Sequence, residues 1–195
     1  MSLRKNHNDL KLRFLQSLNL QVGARVLDMG CGFGGDFHKW LKLRSNFIGA
    51  DPSAESLKEA RRRFPWASLI HGTLLDVPAG MRFDCICFNF SLQYCKPNIQ
   101  DTLDAAWNLL VPNGTLVGVV PDGNLINDSS EYCTRNPDGT LTMYIPGVPY
   151  YDMYGAVTEP ILTMSDLKTR KFSIEKWESF YPGSIYSTFI LRKCG

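Results

Sequence analysis

The segment from residue 25 to residue 51 constrains the fold of this chain more than any other. A strand-like run at Arg25–Met29 leads into a glycine-rich turn at residues 30–35. A helix-like stretch follows, and then a second strand at residues 47–50 that ends at Asp51. A strand, glycine turn, helix and strand of this length form one half of a nucleotide-binding α/β sheet. The pattern predicts such a sheet, although similar turns also occur in unrelated α/β domains.

Two acidic residues of this unit separate two classes of cofactor. Asp28, two residues before Gly30, would repel the pyrophosphate that dinucleotide enzymes place at a helix N-terminus. S-adenosylmethionine has no phosphate, and the ammonium of its amino-acid end suits a carboxylate. Asp51 can accept hydrogen bonds from both hydroxyls of a ribose. The pattern therefore favours S-adenosylmethionine as the cofactor, with S-adenosylhomocysteine as its product.

Composition fits one globular domain and argues against several other classes of protein. The 195 residues can bury a sizeable core, and 44% of them are hydrophobic against 21% charged. No apolar run is long enough to span a bilayer, so no membrane contact is expected. The six cysteines are irregularly spaced without a C-x-x-C pair, which predicts no metal site and a reducing, cytoplasmic location.

Strand and helix patterns alternate over the first 120 residues, which predicts a doubly wound, mostly parallel α/β sheet. Strands are expected at 24–29, 47–50, 67–71, 83–90 and 115–120, and helices at 4–20, 35–43, 54–63 and 101–110. Residues 122–163, with strand-like pieces at 140–145 and 153–161, are interpreted as an insertion over the ligand face. Strand patterns return at 172–180 and 184–192. Residues 1–195 are predicted to be a single domain.

The residues at the carboxyl ends of the strands suggest a reaction that needs no general base. Ligands of open α/β sheets bind at this edge, where the segment 89–94 follows the fourth strand. The histidines are scattered, and no serine-hydrolase elbow is present. Methyl transfer to a nitrogen that already has a lone pair needs no proton removal. Alignment of the reactants can then lower the barrier by about 7–11 kcal/mol.

Several segments closely resemble the mRNA cap guanine-N7 methyltransferases. They are VLDMGCGFGGDFHKW, IGADPSAESLKEARRR, FDCICFNFSLQYC, LVPNGTLVGVVPDGNLI and SIYSTFILRK. The likeness is greatest to the methyltransferase modules of capping enzymes from large DNA viruses of the asfarvirus type. It implies a class I, Rossmann-like fold in which the mostly parallel sheet has an antiparallel C-terminal strand. The implied activity is transfer of a methyl group from S-adenosylmethionine to guanine N7 of the 5′ cap of mRNA.

The resemblance also implies roles for individual residues. On the cofactor side it gives Lys11, Asp28, Gly30, Cys31, Gly32, Asp36, Asp51, Pro52, Thr73, Asn89, Phe90 and Ser91. On the cap side it gives Arg61, Gln93, Tyr94, Pro121, Glu159 and Tyr186. Asn89, Ser91 and Tyr94 are expected to position the methyl donor against the guanine, with no general acid or base. Glu159 is expected to read the base, because a carboxylate can accept from N1 and N2 of guanine together.

The chain departs from the family's pattern at several positions. Phe33 replaces a lysine in the glycine turn, Gln93 replaces a histidine, and Asn89 replaces a glutamine. The family's adenine-contacting acid after the third strand is missing. Asp76 is a nearby candidate for that role, which the sequence leaves open.

Partners and alternatives complete the interpretation. Capped RNA is the expected partner, with guanylyltransferase or triphosphatase domains of a longer polypeptide as further ones, and no DNA. A viral factory or virion is a further location that the resemblance implies.

The basic clusters at 61–63 and 168–176 can contact a phosphate backbone or form solvated helix faces. Two other functions stay open: a tRNA or small-molecule methyltransferase, and a non-catalytic methyltransferase-like module that serves a partner.

Overall fold

The structure is a computed structural model that describes residues 3–126, 133–143 and 157–195. Its helices are α1 (Leu3–Ser17), α2 (Phe37–Lys42), α3 (Ala54–Arg63) and α4 (Ile99–Leu109). Its strands are β1 (Arg25–Met29), β2 (Asn46–Asp51), β3 (Ser68–His71), β4 (Phe83–Asn89), β5 (Leu110–Pro121), β6 (Cys133–Arg135), β7 (Thr140–Met143), β8 (Val157–Pro160), β9 (Phe172–Ser179) and β10 (Tyr186–Lys193). Short 3₁₀ helices lie at Leu74–Asp76, Leu92–Asn98 and Met164–Leu167.

A seven-stranded sheet in the order β3-β2-β1-β4-β5-β10-β9 forms the centre of the fold. The first five strands pair in parallel, and β10 pairs antiparallel with both β5 and β9. This confirms the predicted mostly parallel, doubly wound sheet. The strand order reverses between β1 and β4, and ligands of such sheets bind beside a reversal of this kind.

Side-chain size and capping explain where several elements lie. Helix α3 begins where Ser53 Oγ accepts a hydrogen bond from Ser56 N (3.1 Å), and it ends two residues before Pro65. Strand β4 is central and buried, as its apolar sequence predicts. Strand β5 can pack closely against β4 because Gly118 has no side chain. A Cβ at this position would lie 2.1 Å from the Phe88 carbonyl oxygen.

Hydrophobic clusters cover both faces of the sheet. One contains Leu27, Ile86, Leu103 and Phe189, and it packs α4 against one face. The other packs α1, α2 and the β6–β8 segment against the opposite face through Leu15, Trp40, Val117 and Leu141. The amino-terminal helix and the β6–β8 segment therefore lie on the same side of the sheet. No helix among the described residues is long and apolar enough to cross a bilayer.

Strands β6, β7 and β8 form a small antiparallel sheet within the predicted insertion. The predicted strand pieces at 140–145 and 153–161 appear as Thr140–Met143 and Val157–Pro160. Their residues 144–145 and 153–156 lie outside the described ones, and residue 161 follows the end of β8. In the register of this sheet, Leu141 pairs with Glu159. The β7–β8 pairing therefore fixes the position of a carboxylate that the sequence could place only by resemblance.

Two of the differences between predicted and observed element boundaries arise from local backbone irregularities. Residues 112–114, between the predicted helix at 101–110 and the predicted strand at 115–120, lie inside β5, which already pairs at Leu110 with Phe83 and resumes at Thr115 after a register shift. Asn113, with φ +63°, absorbs the extra residues. Helix α4 begins at Ile99, two residues earlier than predicted, because the Leu92–Asn98 3₁₀ helix leads directly into it.

Candidate active site

The glycine turn between β1 and α2 has backbone angles and close contacts that favour glycine. Gly30 has φ +70°, and a Cβ there would lie 2.3 Å from Cβ of Ser91. Ser91 Oγ donates to the carbonyl oxygen of Met29 (2.7 Å), so this side chain holds the turn against the segment after β4. Gly32 has φ +52°, and a Cβ there would meet no atom within 4 Å. The turn is packed at Gly30 and open at Gly32.

Asp51 holds the same turn from the end of β2. One carboxylate oxygen accepts from the backbone N–H of Gly32, and the other accepts from the backbone N–H of Ser53, both at 2.8 Å. The residue is buried. Because a carboxylate has about four acceptor positions, each oxygen keeps capacity for a ligand hydroxyl.

Asp28 lies buried in β1 with an unsatisfied oxygen. It is 2% exposed, and its Oδ2 has no hydrogen-bond partner among the described residues. Burial raises the pKa of Asp28 to about 7, with a further contribution from the carboxylate of Asp36, while the nearby Trp40, Lys11 and Lys39 lower it. A buried carboxylate oxygen without a hydrogen bond is costly. This oxygen is therefore available to a cationic ligand group.

Asp36 is the centre of a buried polar network at the start of α2. Its Oδ1 accepts from Lys11 Nζ (2.7 Å) and Lys39 Nζ (2.6 Å), and its Oδ2 accepts from Asn89 Nδ2 (2.9 Å). Burial works to raise the pKa of Asp36, but the two lysines outweigh it and lower that pKa to about 2. Lys39 was not among the residues that the sequence analysis identified. Its spacing of three residues from Asp36 on a helix was the available signal.

The segment after β4 has a strained backbone beside this network. Phe90 has φ +60°, an uncommon angle for a bulky residue, and its N–H donates to the carbonyl oxygen of Val119 (2.8 Å). Its ring lies 4.9 Å from that of Tyr186 and 6.0 Å from that of His7, between centroids. Oδ1 of the adjacent Asn89 is buried without a partner among the described residues. Both Asn89 Oδ1 and Asp28 Oδ2 are therefore available to a ligand at this edge of the sheet.

A carboxylate from the small sheet reaches the same segment. Glu159 of β8 accepts from the Tyr94 hydroxyl at Oε1 (2.9 Å) and from Gln93 Nε2 at Oε2 (3.3 Å). Burial raises the pKa of Glu159, although the two hydrogen bonds work to lower it. Gln93 is fully buried and its Oε1 is unsatisfied among the described residues, whereas Tyr94 is half exposed. The structure thus brings together three of the residues that the resemblance placed at the cap.

Pro121 and Tyr186 lie next to each other at the boundary between the parallel and antiparallel parts of the sheet. They are register partners of β5 and β10, and both are buried. The Tyr186 hydroxyl contacts Met143 Sδ at 3.1 Å, which ties the β10 end to the small sheet. The Tyr186 ring also packs against the Phe90 ring, so its placement serves the shape of the site.

Arg63, at the basic end of α3, contacts the glycine turn. Arg63 Nη1 donates to the carbonyl oxygen of Phe33 (2.9 Å), and the Phe33 ring is 49% exposed. Arg61, which the resemblance placed on the cap side, is exposed on the same helix. The geometry therefore adds Arg63 to the positively charged groups beside the turn.

The remaining predicted cofactor residues lie at the ends of β1, β2 and β3. Thr73 donates to Asp76 Oδ2 from its N–H (2.7 Å) and its hydroxyl (2.8 Å), and these bonds lower the pKa of Asp76. The Pro52 carbonyl accepts from a ring nitrogen of His71 at 3.0 Å. Cys31 is buried in the turn, and burial raises the pKa of its thiol. Among the described residues, no group of three or more His, Cys, Asp or Glu could hold a metal ion.

The sequence of this chain is similar to those of known methyltransferases. A family model described as a methyltransferase domain matches residues 27–116. A malonyl-[acyl-carrier protein] O-methyltransferase from Enterobacter lignolyticus is 32% identical over 117 residues, which cover 57% of this chain and 46% of that protein. The mRNA cap guanine-N(7) methyltransferase 1 of Oryza sativa is 28% identical over 151 residues, which cover 64% and 40%. The chain thus spans less than half the length of either relative.

Solved structures share the fold over nearly the whole chain. An S-adenosylmethionine-dependent methyltransferase from Clostridium acetobutylicum aligns with a TM-score of 0.68 at 17% identity and covers 98% of this chain and 92% of that one. CalS10 from Micromonospora echinaspora, with bound S-adenosylmethionine, gives 0.68 at 17% identity over 100% and 92%. NodS from Bradyrhizobium japonicum, in complex with S-adenosylhomocysteine, gives 0.62 at 16% identity over 98% and 87%.

The residues at the strand reversal fit the cofactor of these structures. Asp28 offers an unpaired carboxylate oxygen to an ammonium group. Asp51 keeps acceptor capacity for a ribose, and the backbone at Gly32 leaves space for a ligand. The chain therefore has the class I, Rossmann-like fold of the solved S-adenosylmethionine-dependent methyltransferases, its residues 27–116 match the methyltransferase-domain model, and S-adenosylmethionine is the cofactor of that fold.

Proposed function

We propose that this protein transfers a methyl group from S-adenosylmethionine to guanine N7 of the 5′ cap of mRNA. The observation that carries the proposal is the buried carboxylate of Glu159, which Tyr94 and Gln93 hold beside the segment after β4. Guanine presents its N1–H and N2–H donors side by side, and one carboxylate can accept from both. Adenine lacks this pair. The cap methyltransferase from Oryza sativa supports the same acceptor.

The cofactor half of the site would bind and orient the methyl donor. Asp28 would accept from its ammonium group, and Asp51 would accept from its ribose hydroxyls. Lys11, which lies beside the Phe90 ring, would meet its carboxylate. When bound, the cofactor supplies an activated methyl group on a positively charged sulfur.

Positioning is the main task of the protein in this reaction. Guanine N7 carries a lone pair in the neutral base, so no residue has to remove a proton. Asn89 and Tyr94 lie on the segment between the cofactor residues and Glu159, as the resemblance implies. Phe90 holds that segment in a fixed, strained conformation. Ser91 acts at one remove, because its hydroxyl is used to hold the glycine turn. Such alignment contributes about 7–11 kcal/mol to catalysis.

The basic end of α3 is proposed to bind the phosphates of the cap. Arg63 lies against the glycine turn, and Arg61 is exposed nearby on the same helix. An arginine guanidinium can bind a phosphate with two parallel hydrogen bonds. Capped RNA is accordingly the proposed partner, and guanylyltransferase or triphosphatase domains of a longer polypeptide stay a prediction.

The place of action is part of the proposal. All six cysteines are free thiols, which suits a reducing, cytoplasmic compartment. A viral factory or virion, and a relationship to the capping enzymes of large DNA viruses, stay predictions of the sequence.

The proposal is tested by following label from radioactive S-adenosylmethionine into RNA. The substrates are GpppA-capped RNA, GpppG-capped RNA and the same RNA without a cap. We expect label in both capped RNAs, and digestion of the cap should place it on the 7-position of guanine. Label at an internal nucleotide, or equal label in uncapped RNA, would contradict the proposal.

A small-molecule or protein-bound acceptor is the second candidate. It is favoured by the 32% identity to a malonyl-[acyl-carrier protein] O-methyltransferase. The same labelled cofactor, offered with malonyl-acyl-carrier protein in place of RNA, separates the two functions. Transfer to that acceptor and not to the cap would replace the main proposal. Cofactor binding without transfer to any acceptor would instead favour the non-catalytic module.

A further inference from the structure

Lys39 lies buried beneath the site, and none of the contacts proposed above uses it. We infer that Lys39 supplies the surplus positive charge that leaves Lys11 available to bind the carboxylate of the cofactor's amino-acid end. This inference rests on the proposed binding of S-adenosylmethionine and deepens it. Lys39 would be a positioning residue that acts through its neighbours, without touching the cofactor.

The hydrogen bonds of Lys39 show that it has no donor left for a ligand. The residue is 8% exposed. Its Nζ donates to Asp36 Oδ1 (2.6 Å), to Asn8 Oδ1 (3.1 Å) and to the carbonyl oxygen of Gly35 (3.3 Å). An ammonium group has three N–H donors, so these acceptors use all of them. Lys39 is therefore an internal counterion that also ties α1 to the start of α2.

Lys11 shares the same acceptor but lies differently. Its Nζ donates to Asp36 Oδ1 at 2.7 Å, the same oxygen that Lys39 contacts. Its ammonium also lies 5.8 Å from the centroid of the ring of Phe90, a residue of the segment after β4. With Asp36 already neutralised by Lys39, Lys11 can give part of its hydrogen bonding to a ligand without leaving a buried carboxylate unpaired.

The charges of the buried groups match an amino-acid zwitterion. Asp36, Lys11 and Lys39 together carry one surplus positive charge, and Asp28 beside them has an unpaired oxygen. A ligand with one carboxylate and one ammonium neutralises both. If Lys39 is removed, Lys11 and Asp36 neutralise each other, and the site loses its attraction for the carboxylate. Unbalanced charges matter here because the surroundings are largely shielded from water.

Two ligands that differ only in the amino-acid end test this inference. S-adenosylhomocysteine has that end, whereas 5′-methylthioadenosine lacks it and keeps the adenosine. Isothermal calorimetry would be run on the wild type, on Lys39→Met and on the matched control Lys42→Met. Lys42 is an exposed lysine on the same helix, so its removal changes the net charge equally.

We expect Lys39→Met to weaken S-adenosylhomocysteine binding by about tenfold or more and 5′-methylthioadenosine binding by less than about twofold. Lys42→Met should leave both affinities unchanged. Lys39→Arg should restore most of the lost affinity, because it returns the charge. If Lys39→Met does not fold, Lys39→Gln removes the charge and keeps a donor for Asn8, and the same selective loss is expected.

Three outcomes decide the question. Equal weakening of both ligands in a folded Lys39 variant would mean a general structural role and would overturn the inference. Unchanged binding of S-adenosylhomocysteine would also overturn it. If the wild type binds neither ligand, the cofactor assignment itself fails, and that result is distinct because it appears before any substitution is made.

Discussion

The buried carboxylate of Asp28 has one oxygen without a partner and a pKa raised to about 7. Its pKa in an unfolded chain is near the ordinary value of 3.8, so the folded protein holds this proton more tightly. Ionised Asp28 therefore lowers the stability of the folded state. The loss grows as the pH rises from about 4 and is complete above about 7. The proposed pairing of Asp28 with the cofactor's ammonium would offset this loss in the bound state.

Replacement of Asp28 by asparagine should separate stability from binding. Asp28→Asn removes the buried charge, so the free energy of unfolding at pH 8 should rise by on the order of 2 kcal/mol. The gain should shrink as the pH falls toward 4. Binding of S-adenosylhomocysteine should weaken by about a hundredfold, because its ammonium loses its counterion. Urea unfolding and calorimetry measure the two effects, and tight binding by the variant would contradict the assignment.

Cofactor binding should depend on pH through the same group. Below pH 7 Asp28 must release its proton before it can pair with an ammonium, so affinity should fall by up to about tenfold per unit of pH. Asp36 should stay ionised over this range, because its pKa is about 2. Calorimetry in buffers with different ionisation enthalpies should show proton release on binding near pH 6. Asp28→Asn is the control, and its affinity should not change over the same range.

Glu159 provides the residue-scale test of the acceptor. Glu159→Gln keeps the size of the side chain but replaces one acceptor oxygen with an amide that cannot accept from guanine. We expect binding of GpppG to weaken by about tenfold or more, while S-adenosylhomocysteine binding changes by less than about twofold. Fluorescence titration of each ligand measures this. Loss of cofactor binding with intact cap binding would show that Glu159 lies in the wrong half of the site.

Some of these residues could be predicted from the sequence because their signals are local. Asp28 and Asp51 follow from strand ends and glycines in one short segment. Lys39 was missed because a lysine on a short helix is usually solvated, and only the fold shows that Asn8 and Asp36 enclose it. The Glu159 contacts join residues about 65 positions apart, and no periodic pattern encodes such a distance.

At the scale of elements, the turn between β1 and α2 depends on its fit against the segment after β4. Gly30 has a positive φ, and a side chain there would press on Ser91. Gly35, five residues later, has an ordinary φ and open space around it. The two glycines thus form a matched pair, one required by geometry and one tolerant of a methyl group.

Substitution of the two glycines by alanine should give opposite results. Gly30→Ala should lower the free energy of unfolding by about 2–3 kcal/mol and weaken binding of S-adenosylhomocysteine, because the turn must shift. Gly35→Ala should change stability by less than about 0.5 kcal/mol. Urea unfolding curves and calorimetry check both effects. Equal stability of the two variants would mean that the turn can relax without cost.

Element boundaries were predictable where a local chemical signal marks them. Helix α3 was predicted with its observed bounds, since Ser53 caps it and Pro65 follows it. Strand β5 begins five residues before the predicted start, because its pairing with Phe83 in β4 extends across a turn-like sequence. Strand β6 was not predicted, since a three-residue strand is defined by its partner and hardly by its own composition.

At the scale of the whole molecule, the alternation of strands and helices was sufficient to predict a parallel sheet. Right-handed crossovers then leave few possible strand orders. The place of β9 and β10 in the sheet could not be predicted from their own patterns, because two consecutive strands can form a hairpin that pairs with no other strand. The antiparallel C-terminal strand was predicted from the family resemblance. The observed insertion of β10 between β5 and β9 instead brings Tyr186 beside Pro121 at the ligand edge.

The distribution of basic residues along the chain predicts how binding responds to salt. The formal charge is only +2, but basic clusters lie at 61–63 and 168–176. Binding of capped RNA should therefore weaken by about tenfold or more between 50 and 300 mM KCl, because counterions are released from the RNA. Binding of S-adenosylhomocysteine should change by less than about threefold, because its charges meet buried partners. Filter binding and calorimetry measure the two. RNA binding that does not depend on salt would contradict phosphate contacts by these clusters.

The position of strand β8 in the chain has a consequence for how the acceptor could change in evolution. The matched family segment ends at residue 116, whereas Glu159 comes from a separate sheet built after it. The proposed base-reading carboxylate is thus encoded in a different stretch of the gene from most of the proposed cofactor residues. Exchange of residues 122–163 between relatives should therefore alter the acceptor while the donor pocket is inherited intact, and a lineage could acquire a new substrate without rebuilding its catalytic half.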